Sequence, residues 1–238
     1  MPTIEELAKK SNRIVVFSGA GFSTESNIPD FRSDNGIYKQ NKWPYPAEVM
    51  LSHSFYESNP EQFFDFYFKE MIYPDAQPNR GHQALARLEK LGKLEAIVTQ
   101  NIDGLHQKAG NKKVFELHGS VLRNYCTRCG EFYSLEAIMN KGVPHCHCGG
   151  IIKPDVVLYE EGLDTQTVEG AIKAISNADL LIVAGTSLVV YPAAGMIDYY
   201  RGKEIIVINH DATKADQRAT IVSHRNIGEE LDFINNWK

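Results

Sequence analysis

Five short apolar runs punctuate the chain: Arg13–Ser18, Glu95–Thr99, Val114–Leu117, Asp179–Ala184 and Glu204–Ile208. None alternates polar with apolar residues, which is the pattern of strands covered by helices on both faces. Each gives way to a turn and usually to a helical period, so the order predicts an α/β fold: a doubly wound, Rossmann-like parallel sheet. Helix ends are legible between the strands. Asn59-Pro60 offers a cap and an N1 proline before a helix over Glu61–Tyr73, a helix over Gly81–Leu91 stops at Gly92, and Pro192 begins another. The aromatic-rich stretch from Ser33 to Tyr73 and the cysteine segment from Tyr125 to Lys153 break the alternation and read as insertions that build a smaller domain. Residues 1–32, 75–123 and 154–238 then form the nucleotide-binding domain, with 33–74 and 124–153 as the two modules of the small one.

In an open α/β sheet, ligands bind beyond the carboxyl ends of the strands, where turn amides and helix N-termini converge. The unusual residues of this chain fall there: Gly19-Ala20-Gly21 after the first run, Gln100-Asn101-Ile102-Asp103 after the second, His118-Gly119 after the third, Gly185-Thr186-Ser187 after the fourth and Asn209 after the fifth. Singly, each has an ordinary explanation, since glycines permit tight turns and Asn or Asp caps helices. Together on one edge they describe a nucleotide crevice. The first turn nevertheless departs from the dinucleotide redox fingerprint. Thr24 occupies the place of its third glycine, and the loop Asn41–Pro46 stands where a second strand would carry the ribose carboxylate. A hydride-transferring dehydrogenase is disfavoured on that ground.

At 238 residues, 43% hydrophobic and 23% charged, the chain can hold one large core or a large and a small one. Its net charge of −5 lacks the footprint of a general nucleic-acid binder and suits a basic partner such as a lysine-bearing tail. No apolar run approaches the roughly 18 residues of a membrane span, and MPTIEELAKKSNR lacks an apolar targeting segment, so a cytoplasmic protein without a membrane partner is expected. The four cysteines form two close pairs, Cys126 with Cys129 and Cys146 with Cys148, the arrangement of a structural zinc ribbon. Its second pair is tighter than usual, and His145 or His147 is an alternative for one thiolate. Four protein ligands leave no open position, so the zinc would hold structure and perform no chemistry.

The segments GAGFSTESNIPDFR, TQNIDGLHQKAG, ELHGS, the cysteine ribbon, IKPDVVLYEE, GTSLVVYPAA and VIN follow one another over roughly residues 13 to 231. In that order the chain resembles the sirtuins, NAD-dependent protein deacylases, in their compact bacterial form. The resemblance implies that NAD is a co-substrate, cleaved between nicotinamide and ribose, and that the acyl group of an acyl-lysine protein or peptide passes to ADP-ribose. It implies His118 as general base and Asn101 as the residue orienting ribose and water. Ile28, Ile102 and Asp103 match the nicotinamide pocket; Ala20, Thr24, Phe31 and Arg32 the cofactor loop; Gln100 the ribose; and Thr186, Ser187, Asn209 and the backbone at Ile227 the adenosine side. The substrate peptide is expected to add as a strand between Val156, Leu158, Tyr159 and Glu160 on one side and Val189–Tyr191 on the other.

Two departures bear on specificity. Sirtuins usually show Phe-Gly-Glu where this chain has Tyr159-Glu160-Glu161, and Glu160 is expected to favour basic flanking residues. Succinyl-removing sirtuins carry Tyr-x-x-Arg in the helix equivalent to Glu61–Tyr73, whereas Tyr67 is followed here by Glu70, so an uncharged acyl group is expected. A monomer is expected. Protein mono-ADP-ribosyltransfer is the alternative activity, and a purely binding NAD-sensing module is disfavoured because it has no use for a base at His118.

Overall fold

The computed structural model describes residues 2–34, 36–39, 42–139 and 141–238. The expected loop over Asn41–Pro46 begins outside the described residues, and its described part, 42–46, consists of turns and bends. In chain order the elements are α1 (Ile4–Lys10), β1 (Ile14–Ser18), α2 (Ala47–Met50), α3 (His53–Ser58), α4 (Pro60–Glu70), α5 (Arg80–Lys90), β2 (Leu94–Thr99), α6 (Leu105–Ala109), β3 (Val114–Glu116), β4 (Gly119–Cys126), β5 (Phe132–Ser134), α7 (Leu135–Ile138), β6 (Ile152–Val156), α8 (Thr165–Asn177), β7 (Leu180–Ala184), β8 (Glu204–Ile208), β9 (Ile221–Ser223) and α9 (Ile227–Asn235), with short 3₁₀ turns between some of them.

Six strands form a parallel sheet in the order β3-β2-β1-β7-β8-β9. Because strand side chains alternate, each central strand feeds two cores. Val15, Phe17, Leu181, Val183 and Val207 face α8 and the 3₁₀ segment Ala193–Tyr199. Ile14, Val16, Ile182, Ile206 and Ile208 face α1, α5 and α9. Double coverage is why these runs show no polar alternation, and all five residues of β1 and of β7 are buried. The order of connection reverses between β1 and β7, so the switch-point crevice opens at their carboxyl ends.

The two insertions share one further core. Met50, Phe63, Phe64, Phe66 and Tyr67 of the helical segment pack with Val121, Ile138 and Ile152, which belong to the antiparallel sheet β5-β4-β6 and to α7. The aromatic crowd of α4 is therefore buried helix core.

Several sequence expectations shift locally. Asn59 makes no side-chain cap, so Pro60 alone marks the start of α4. That helix ends at Glu70, short of Tyr73, whose phenol donates to the Glu70 carbonyl and whose position before Pro74 disfavours α-helical backbone. The segment after Pro192 winds as a 3₁₀ helix over Ala193–Tyr199. The cap of α5 is Asn79, which accepts from the amides of Gly81 and His82 and donates to the Phe22 carbonyl, fixing the helix against the turn after β1. The short β9, with partly exposed residues, had no apolar run to announce it.

Candidate active site

The crevice begins with a close approach of two loops. A Cβ on Gly19 would lie 2.8 Å from the Gly185 carbonyl oxygen, and one on Gly185, at φ +63°, would lie 2.3 Å from the Phe22 nitrogen. Glycine at these places lets the turns after β1 and β7 interlock, which brings their backbone to one wall. Between them a cavity of about 870 Å³ opens, within the range of small-molecule sites.

On the floor stands the loop after β2. The Thr99 hydroxyl accepts from the Asn101 amide at 3.0 Å, and the Asn101 side chain, almost buried, donates to the Ser23 hydroxyl at 3.1 Å. Ser23 in turn donates to Asp103 at 2.7 Å, while the other Asp103 oxygen accepts from the Leu105 amide at 2.8 Å. Burial raises the Asp103 carboxyl above its ordinary range, and the bonds from the Leu105 amide and Ser23 oppose that rise. Ser23 thus clamps together two residues that sequence reasoning had singled out, although only its neighbours Ala20 and Thr24 were named. No spacing signals it; the clue is only a small hydroxyl buried in a loop facing Asn101 and Asp103. Gln100 extends the floor sideways, donating to the Thr186 hydroxyl at 2.9 Å.

His118 stands at the junction of the two sheets. Gly119 follows it at φ +75°, where a Cβ would fall 1.9 Å from the Asp155 carbonyl oxygen, so only glycine lets β4 leave the histidine in this position. The His118 carbonyl accepts from Val157 at 3.0 Å, and its ring Nδ1 meets the Gln100 carbonyl at 3.0 Å. A carbonyl only accepts, so Nδ1 carries the proton and Nε2 keeps its lone pair. Burial lowers the imidazole pKa, partly offset by the Gln100 carbonyl, and the ring is neutral at physiological pH.

Ala20, Thr24, Ile28, Phe31, Arg32, Gln100, Asn101, Ile102, Asp103, His118, Thr186, Ser187, Asn209 and Ile227 all line this one cavity, as do Val156, Leu158, Tyr159 and Glu160. Val189 does not: its side chain is 54% exposed, and Val190 and Tyr191 form that wall instead. Neither Val189 nor Tyr191 is in a strand, so this side has no preformed ladder. Glu160 adopts φ +76°, the left-handed backbone that favours glycine. Its carboxylate turns to α3 and accepts from the amide and hydroxyl of Ser54 at 2.9 and 3.0 Å. Glu70 lines the cavity and accepts from the Trp43 indole, while Tyr67 is fully buried beneath.

Outside the crevice, the four cysteine sulfurs lie within 4.8 Å of one another, with Cys126 to Cys148 at 3.4 Å and Cys129 to Cys146 at 3.6 Å. Zinc–sulfur bonds of about 2.3 Å in a tetrahedron separate sulfurs by roughly 3.8 Å, so the cluster has the size that zinc requires. Amides of Arg128 and Cys148 point at the sulfurs of Cys126 and Cys146. His145 turns to the Val143 carbonyl, while His147 lies 3.6 Å from the Cys146 sulfur and 3.1 Å from Glu131, beside the group of four mutually close sulfurs. Such an ion, held by Cys126, Cys129, Cys146 and Cys148, would tie the β4–β5 turn to the chain entering β6.

A parallel sheet with a polar switch-point crevice, roofed by a small domain that carries a zinc ribbon, defines a nucleotide-using α/β protein. More narrowly, the chain belongs to the Sir2 family, which matches residues 19–192. It is 59% identical over 235 residues to an NAD-dependent protein deacetylase of Clostridium perfringens, covering 97% of this chain and 96% of that protein. A second NAD-dependent protein deacetylase, from Clostridium acetobutylicum, is 56% identical over 235 residues with the same coverage. Among solved structures, "Sir2-p53 peptide-NAD+" superposes with a TM-score of 0.85 at 39% identity, covering 98% of this chain and 97% of that one. "Sir2 bound to acetylated peptide" gives 0.85 at 38% identity, covering 97% and 94%. Among the described residues, no helix is long and apolar enough to cross a membrane.

Proposed function

We propose that this chain removes acetyl and other uncharged acyl groups from protein lysines by cleaving NAD, releasing nicotinamide and O-acyl-ADP-ribose. The observation that carries it is His118: a neutral imidazole with its Nδ1 proton committed to Gln100, in one cavity with Asn101, Asp103 and the Val156–Glu160 segment. A base with a free Nε2 accepts a proton from a ribose hydroxyl and so activates it, which general acid–base catalysis rewards by about 10²–10⁴-fold. Asn101, held by Ser23, orients the ribose and a water. Asp103 receives the nicotinamide carboxamide beside Ile28 and Ile102, Phe31 shields the reacting carbon, and Thr186, Ser187, Asn209 and the Ile227 backbone hold the adenosine half. Exclusion of bulk water at this floor favours cleavage of the glycosidic bond over solvent side reactions.

Glu70 on the acyl side repels a carboxylate-bearing acyl group, so succinyl-lysine is a poor substrate. Glu160, exposed at the mouth, adds negative charge for a basic peptide even while bonded to Ser54. The zinc is structural and is held by Cys126, Cys129, Cys146 and Cys148. In the same assignment, residues 1–32, 75–123 and 154–238 form the NAD-binding domain, 33–74 with 124–153 form the small one, and the protein acts in the cytoplasm as a monomer without nucleic acid. Mono-ADP-ribosyltransfer is the lesser alternative, because the relatives at 56–59% identity are named deacetylases. Turnover of acetyl- against succinyl-lysine peptides, and of lysine-rich against acidic flanks, tests the specificity: equal rates in either comparison would refute the corresponding assignment.

A further inference from the structure

One contact crosses the cavity between two walls that bind different substrates. Tyr159, on the peptide wall, is pinned by its backbone: its amide donates to the Leu51 carbonyl at 3.0 Å and its carbonyl accepts from His53 at 3.0 Å. Its hydroxyl hydrogen-bonds the hydroxyl of Tyr38. Tyr38 belongs to the opposite, cofactor wall. Its amide donates to the Phe31 carbonyl at 2.9 Å, as that of Ile37 does to Asp30. The Tyr38 ring packs on Phe31 at 5.3 Å between centroids and carries the Arg32 guanidinium 5.0 Å above it. Asp30 completes the unit by accepting from the amides of Arg32 and Ser33.

We propose that the Tyr38–Tyr159 hydroxyl pair is a positioning tie through which the peptide wall sets Phe31 and Arg32 for NAD. This rests on the function proposed above and adds to it a residue pair that touches neither reacting atom. The geometry gives coupling a direct route: displacement of Tyr159 pulls on Tyr38, and Tyr38 cannot move without Phe31, to which it is bonded through its backbone and packed through its ring. Burial and the bond to Tyr159 hold the Tyr38 phenol far above its ordinary range, so it stays protonated and available to the bond at any physiological pH.

Tyr38→Phe, Tyr159→Phe and the double variant form a thermodynamic cycle, with the KM for NAD measured at saturating acetyl-lysine peptide. One hydrogen bond corresponds to a roughly two- to tenfold change. Each single variant is expected to raise the KM for NAD by that factor, the double no further than either single, and Tyr38→Phe to leave kcat within about twofold. Unchanged KM in both singles, or a double effect equal to the product of two single effects, would overturn the tie. Tm and zinc content report whether each variant folds. If the unmodified protein fails to deacetylate, the parent function is refuted. NAD affinity of the same four proteins by calorimetry then decides the tie separately, a cycle without coupling refuting it.

Discussion

At the scale of single residues, the site is organised by who donates to whom. His118 works as a base only when unprotonated, and burial lowers its pKa below the ordinary 6.5. With His118 as the base, activity is expected to be full at neutral pH and to decline only as the solution is acidified through that lowered value. A pH profile of kcat/KM should therefore place the acid limb below about 6.5, the unperturbed histidine value; a limb centred above 7 would contradict the neutral imidazole. Ser23 gives a second test. Its hydroxyl accepts from Asn101 and donates to Asp103, so Ser23→Ala strands both partners in a buried setting, at about 1–3 kcal/mol for a lost buried partner. A fall in kcat/KM of about tenfold or more, with Tm lowered by a few degrees, is expected, and a variant with wild-type kinetics would show that the clamp is idle.

At the scale of elements, the central parallel strands β1, β2, β7 and β8 were legible because both faces of each are covered, which removes polar residues from the run, whereas the partly exposed β9 was not. The helix ends were legible where a proline or glycine marks them, as at Pro60 and Gly92, and illegible where the marker is a tertiary contact, as at Asn79 bonded to Phe22. The strand ends pointed to the cavity because polar residues gather there, and in the fold they line it while bonding to one another. What sequence could not carry were the cross-cavity partners, Ser23 with Asn101 and Tyr38 with Tyr159, which are far apart in the chain. The cysteine pairs were visible from spacing, and folding brings all four sulfurs within 4.8 Å of one another. A zinc at the four sulfurs would join the β4–β5 turn to the chain entering β6 beyond what its hydrogen bonds do, so chelation is expected to release one zinc per chain and to abolish deacetylation together with a loss of Tm. Full activity after stoichiometric zinc removal would contradict a structural metal.

At the scale of the whole molecule, the acid dependence of stability turns on a buried histidine pair. The rings of His82 and His106 lie 4.8 Å apart, both against Phe22, and His106 Nε2 meets the Ser18 hydroxyl at 3.0 Å. Burial lowers His82 to about 3 and lowers His106 well below its ordinary value, with repulsion from His82 contributing to the latter. The unfolded chain takes up these protons near the unperturbed value of about 6.5 while the folded protein refuses them. Unfolding thus binds protons, and stability declines as pH falls from about 6.5 towards the lowered folded values. Urea midpoints measured between pH 7.5 and 4.5 should fall with acid, and less steeply in His82→Gln; parallel slopes in the two proteins would exclude the pair as the cause.

The central claim is that one cavity joins NAD cleavage to acyl transfer from lysine, with His118 as the base. Mass spectrometry of all products after incubation with NAD and an acetyl-lysine peptide, beside a His118→Ala control, tests it most directly. The prediction is equimolar nicotinamide, deacetylated peptide and O-acetyl-ADP-ribose from the unmodified protein, reduced by about 10²-fold or more in the variant. NAD consumed with ADP-ribose left on protein, or deacetylation undiminished without His118, would contradict it.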